Sequence, residues 1–264
     1  MQGLIIGRYV PGKSLIHQMD PRSKLVIVSL FVFVVFLANN AYSYALLGLF
    51  TIAIILLTRI PLYYIINGLK PILLIIIFTF FVHLFMTKEG ELLFELGTLD
   101  IYEGGLIQGI YISLRLLFLI LMTTILTLTT TPIEVTDGME SLLQPLKRFK
   151  FPVHELSLMM SISLRFIPTL MQETEKIVKA QTARGMDFRS GPVKDRLNAI
   201  VPLLVPLFIS AFKRAEELAT AMEARGYRGG EGRTKLRVLQ WKFIDTIMLG
   251  LLILLAIGLF FLRS

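Results

Sequence analysis

The sequence predicts an all-α, polytopic membrane protein, and three observations carry that prediction. Apolar residues gather in blocks of roughly 15 to 25 almost uncharged positions, the length a helix needs to cross a hydrocarbon core of about 30 Å. The blocks lack the strict alternation of barrel strands, so helices, which pair every backbone group locally, are the spanning form. Of the 264 residues, 55% are hydrophobic and 17% charged, and the mean hydropathy is +0.70, more apolar surface than a soluble domain of this length could bury.

The spans follow in order. The block Leu25 to Ala38 is short, but Asp20 as N-cap and Pro21 at the first helical position start the helix earlier and give roughly 27 Å. Asn39-Asn40 turns the chain into a second span, Tyr42 to Thr58. Arg59, Pro61 and Lys70 flank the next connection, and a third span runs from Pro71 to Thr87. A fourth covers about Leu106 to Thr130, and a fifth, Phe243 to Leu262, closes the chain. Three regions result: spans one to four in residues 1–130, a polar helical module in 131–238, and the last span in 239–264.

The charges between spans predict orientation. The N-terminal arm sets Arg8, Lys13, Arg22 and Lys24 against Asp20 alone, and the loop after the second span offers Arg59 and Lys70 without an acid. The loop after the third span reverses this, with Glu89, Glu91, Glu95, Asp100 and Glu103 against Lys88. Residues 132–238 hold seventeen Lys and Arg against twelve acids. Excess Lys and Arg marks the cytoplasmic side, so the N-terminus and the polar module are expected inside and the C-terminus outside, in a cell membrane. Such loops also account for the net charge of +8 without nucleic acid as a partner. The N-terminal arm does not read as a cleavable signal peptide. Without cysteine, disulfides, thiol catalysis and zinc–thiolate sites are excluded.

Two features within the spans carry expectations. Arg115 lies inside the fourth span, where an ionised group marks either a substrate or proton path or, more simply, a structural partner or a snorkelling side chain, since no carboxylate sits at comparable depth. Gly105 and Gly109 form a GxxxG pattern that suggests close helix packing.

The polar module opens on Thr131-Pro132-Ile133-Glu134, a capping box with proline at the first helical position, and this helix should end at Pro145. Lys147-Arg148-Phe149-Lys150 suits a membrane-surface anchor. A second, amphipathic helix should run from Pro152 to about Arg184. Its apolar face includes Leu156, Met159, Met160, Ile167, Leu170 and Met171, and Arg165, Glu173, Lys176 and Lys179 lie opposite. A third helix should cover about Arg196 to Arg225, apolar around Pro202 and Pro206 and charged beyond Lys213.

These two helices end alike, in Ala183-Arg184-Gly185 and Ala224-Arg225-Gly226, with the arginines 41 residues apart. Glycine past a helix terminus closes the last turn in the left-handed conformation, and arginine there faces the negative end of the helix dipole. One such ending is ordinary capping. Two, each at the tip of a long amphipathic helix on the same side of the membrane, read as a pair of prongs whose planar guanidinium groups could bind carboxylates or carbonyls of a partner.

With these signatures the chain resembles the transmembrane T component of energy-coupling factor (ECF) transporters, over essentially its whole length. Besides the paired tips, the resemblance lies in Met19-Asp20-Pro21-Arg22-Ser23-Lys24-Leu25, Thr130-Thr131-Pro132 and Ser163-Leu164-Arg165-Phe166-Ile167-Pro168. It implies a non-enzymatic subunit without a cofactor of its own, in an ATP-driven importer of vitamins or other micronutrients. It further implies that Arg184 and Arg225 each enter a groove of one of two ABC-type ATPase subunits. The apolar helix faces, Leu156 to Met171 among them, would cradle an integral-membrane substrate-binding S component, which ATP-driven movement of the prongs would tilt. The substrate would be chosen by that separate chain.

Two other classes compete. A membrane-embedded enzyme finds little support: His154-Glu155 is followed by Leu158 where HExxH requires histidine, no GxSxG occurs, and the glycine-rich stretch from Arg225 to Arg233 lacks Gly-Lys-Ser/Thr. A self-contained transporter would call for more intramembrane ionisable groups and for inverted repeats.

Overall fold

A computed structural model describes residues 9–96, 99–186, 193–229 and 238–263. Eight helices and one hairpin make up the described fold: α1 (Pro21–Val35), α2 (Ala41–Thr58), α3 (Leu62–Met86), β1 (Leu92–Leu96), β2 (Leu99–Tyr102), α4 (Glu103–Thr129), α5 (Pro132–Leu143), α6 (Val153–Ala183), α7 (Val193–Ala224) and α8 (Phe243–Phe261). A 3₁₀ turn, Gln144–Phe149, joins α5 to α6. The chain divides into two compact units, Met1–Leu142 with Leu239–Ser264, and Leu143–Val238.

In the first unit α2, α3, α4 and α8 are each long and apolar enough to cross a membrane. The protein is therefore an all-α, multi-pass membrane protein with a small hairpin. Its core is formed where α1, α2, α4 and α8 meet, around Phe31, Val35, Leu47 and Leu252, all almost wholly buried. Leu74 and Phe78 on α3 and Leu254 on α8 point outward and are exposed, as side chains facing acyl chains would be.

Helix starts obey their sequence signals. The Asp20 carboxylate accepts the Arg22 N–H at 2.8 Å, and Asn40 and Ser43 cap α2 reciprocally. Thr131 and Glu134 close their capping box at 3.3 and 3.0 Å. The glycine seam is also as expected. A Cβ on Gly105 would lie 2.8 Å from the Thr87 carbonyl oxygen, and one on Gly109 would lie 3.2 Å from that of Phe80, so α4 runs directly against the backbone of α3.

Three elements differ from the sequence expectation. First, α1 ends at Val35. Phe36, Leu37 and Ala38 continue it as tighter i→i−3 turns, so helix and turn together rise about 28 Å. Second, α3 begins at Leu62 rather than at Pro71 and runs through that proline. α4 packs against it on both sides of the proline, at Gly68, whose missing Cβ leaves room for the Thr124 methyl group, and at the His83, Leu84 and Thr87 carbonyls, which Gly105 approaches. Tertiary packing thus overrides a local helix breaker. Third, the acidic loop after α3 forms an antiparallel hairpin whose base is closed by Glu103 N–H to Glu91 O, 3.0 Å, and Gly104 N–H to Glu89 O, 2.9 Å.

Arg115 has a structural partner. Its Nη2 donates to the Ala38 carbonyl at 3.3 Å and the guanidinium lies 5.1 Å from the Phe36 ring centroid, tying α4 to the end of α1.

Candidate functional site

The second unit is built on α6 and α7, two helices of 31 and 32 residues that pack on each other. Each is amphipathic by sequence and each carries internal proline, Pro168 in α6 and Pro202 and Pro206 in α7.

Their ends are the same structure twice. On α6, Gly185 adopts φ +88° and donates its N–H to Thr182 O at 3.0 Å, while Met186 N–H reaches back to Gln181 O at 3.0 Å. On α7, Gly226 adopts φ +74° and bonds Glu223 O at 2.8 Å, and Tyr227 N–H reaches Met222 O at 3.0 Å. This pair of backward bonds is the Schellman motif, and the left-handed glycine it needs explains the third letter of each signature. The residue before each glycine is the arginine, and Arg184 and Arg225 are both exposed, as are Ala183 and Ala224. A Cβ on Gly185 or Gly226 would meet nothing within 4 Å. Both tips thus present a small residue, a guanidinium and open space.

An ionic cross-link joins the helices, between residues that the sequence placed only on charged stretches of each. Glu173 of α6 accepts from Arg214 Nη2 and, at 2.8 Å, from the Ser210 hydroxyl, both on α7. Arg214 foremost, then Ser210, holds the Glu173 carboxyl below the usual carboxylate range. The pair is separated by 41 residues, the same interval that separates Arg184 from Arg225. Each partner therefore sits eleven residues, roughly 16 Å of helix, before its own tip. The signal was in the sequence, as a carboxylate and an arginine at the signature spacing, but only contact gives it meaning.

Of the apolar positions expected to face a membrane partner, Met159 and Met160 are exposed, whereas Leu156, Ile167, Leu170 and Met171 are half-buried. The more continuous exposed apolar stripe is on α7: Val201, Leu204, Val205, Phe208, Ile209 and Phe212. Its three- and four-residue spacing marks one helix face. Among the described residues no group of three or more His, Asp or Glu is placed to hold a metal ion.

The family model described as cobalt transport protein, CbiQ, matches residues 12–236, which include both tips and the cross-link. The chain belongs to the CbiQ family. The energy-coupling factor transporter transmembrane protein EcfT of Bacillus subtilis (strain 168) is 67% identical over 264 residues, all of both chains. Its namesake from Listeria innocua is 54% identical, again over the full length of both, and that from Streptococcus equi subsp. equi 49% over all of this chain and 98% of its own. In this CbiQ-family chain, then, the two Arg-Gly tips and the α6–α7 cross-link belong to a transmembrane component of ECF transporters.

Proposed function

We propose that this protein is the transmembrane scaffold of an ECF-type ABC importer, with Arg184 and Arg225 docking two ABC-type ATPase subunits. The observation that carries the reading is the duplicated Schellman-capped tip, each guanidinium exposed and each equally far from the Glu173–Arg214 cross-link. Equal arms from a shared crossing convert an approach of two ATPases into a symmetric movement of both helices. An exposed guanidinium at the end of a rod suits insertion into a groove lined with carboxylates or carbonyls. The apolar surface of α6 at Met159 and Met160, together with the α7 stripe, would hold the S component. Methionine-rich faces adapt to varied partners. The subunit itself would hydrolyse no ATP. The excess of Lys and Arg in the N-terminal arm and the coupling unit supports a cytoplasmic location for both, in a chain that would sit in the prokaryotic cell membrane.

The test is the double variant Arg184→Glu with Arg225→Glu. The variant protein should insert and migrate as the wild type but fail to retain ATPase subunits, and uptake of radiolabelled riboflavin through a riboflavin-specific S component should fall to background. Retention of both ATPases with uptake intact would sink the docking role.

A further inference from the structure

The segment from Asp20 to Lys24 at the start of α1 commits nearly every polar group it carries, and the commitments run to several parts of the first unit. Lys24 Nζ donates to Thr129 O at 3.0 Å and Thr130 Oγ1 at 3.4 Å, at the corner between α4 and α5. Ser23 Oγ and the Asp20 N–H both donate to Asp245 Oδ1 on α8, where Asp245 is wholly buried. Gly138 of α5 lets that helix approach directly: a Cβ there would lie 3.0 Å from Leu25 Cδ1 and 3.4 Å from the Arg22 backbone nitrogen.

Arg22 makes the most consequential contacts. Its Nε and Nη2 fork onto the buried Asp20 carboxylate at 3.1 and 3.0 Å, which fixes the plane of the guanidinium. From that plane Nη1 donates to Ser141 Oγ at 3.2 Å and Nη2 to the Leu239 carbonyl at 3.0 Å. The chain leaves the first unit after Leu142 and returns to it at Leu239. One side chain therefore holds the end of α5 and the returning segment within two residues of where the chain crosses between units. Lysine, a point charge without a rigid fork, could not serve Asp20, Ser141 and Leu239 from one fixed plane.

We propose that Arg22 is a positioning residue that clamps both roots of the 143–238 unit, so that movement of α6 and α7 is delivered to the transmembrane helices instead of being lost at the two points where the chain crosses between units. The proposal rests on the coupling role above. The absence of native cysteine makes a direct test clean. Spin labels on Leu142→Cys and Val238→Cys, both at exposed positions, report the distance across the roots in the full chain in nanodiscs. In Arg22→Gln the distance distribution should broaden. In the complex reconstituted into liposomes with both ATPases and a riboflavin-specific S component, riboflavin taken up per ATP hydrolysed should fall about tenfold while the ATPases stay bound. Arg22→Lys, which keeps the charge beside Asp20 and serves if Arg22→Gln does not fold, should show a smaller change in both readouts. An unchanged distance distribution in the variant, or a broadened one with uptake per ATP intact, overturns the clamp. Failure of the coupling reading would look different: the wild-type chain itself would hold no ATPase, while the broadening in Arg22→Gln would persist.

Discussion

Arginine is put to opposite uses at the two ends of this chain's working parts. Arg22 is packed into a knot of carboxylate, hydroxyl and carbonyl, with its four hydrogen-bonding contacts inside one unit. Arg184 and Arg225 stand exposed behind a left-handed glycine with open space beyond it. A guanidinium with every partner in the same unit contributes to stability. One held exposed at a capped helix tip is available to another molecule. Stability and activity should therefore respond in opposite order along the chain, and that order is what experiments can break.

The largest loss of stability is expected at the knot. Asp245→Ala removes the acceptor shared by the Asp20 N–H, the Ser23 hydroxyl and the Lys242 N–H. Stranding these donors in a buried site should cost about 3 kcal/mol or more, read as a lower thermal midpoint in detergent. Next comes the glycine seam. Gly105→Leu drives a side chain into the Thr87 and His83 carbonyls, and a cost of about 2 kcal/mol is expected in the same assay. The cross-link should respond to pH rather than to heat. Its Glu173 carboxyl titrates below the ordinary range, so the contact is intact above that range and is lost only as pH falls through the depressed value. The distance between spin labels on α6 and α7 should change in that acid window, and Glu173→Gln should abolish the dependence. A transition at or above the usual glutamate value would contradict the cross-link. The smallest effect belongs to the tips, where the double glutamate variant should shift stability by less than about 0.5 kcal/mol while removing uptake. If the tips prove as costly to stability as the knot, the contrast between held and offered arginines collapses.

Much of this was legible without coordinates because its causes are local. Asp20 and Thr131 cap their helices through bonds spanning two or three residues, and Gly185 and Gly226 close theirs within six, whereas Asn40, expected only to turn the chain, also caps α2. Gly105 and Gly109 announced their seam by spacing alone. Pro71 misled for the same reason: its local rule is sound, but α4 holds the helix on both sides of it. The β1–β2 hairpin went unread because strands of five and four residues give too short a period to detect in an acidic loop.

By itself, then, the sequence determined the apolar spans, the caps and the twin Ala-Arg-Gly endings. It did so because hydrophobic periodicity and cap chemistry act within a turn or two of the chain. Only tertiary structure decided that Glu173 meets Arg214 at the interval that separates the tips, and that Arg22 joins Ser141 and Leu239 across 119 and 217 residues. Such contacts depend on which helix faces pack together, and a side chain's own neighbours in sequence carry no record of that.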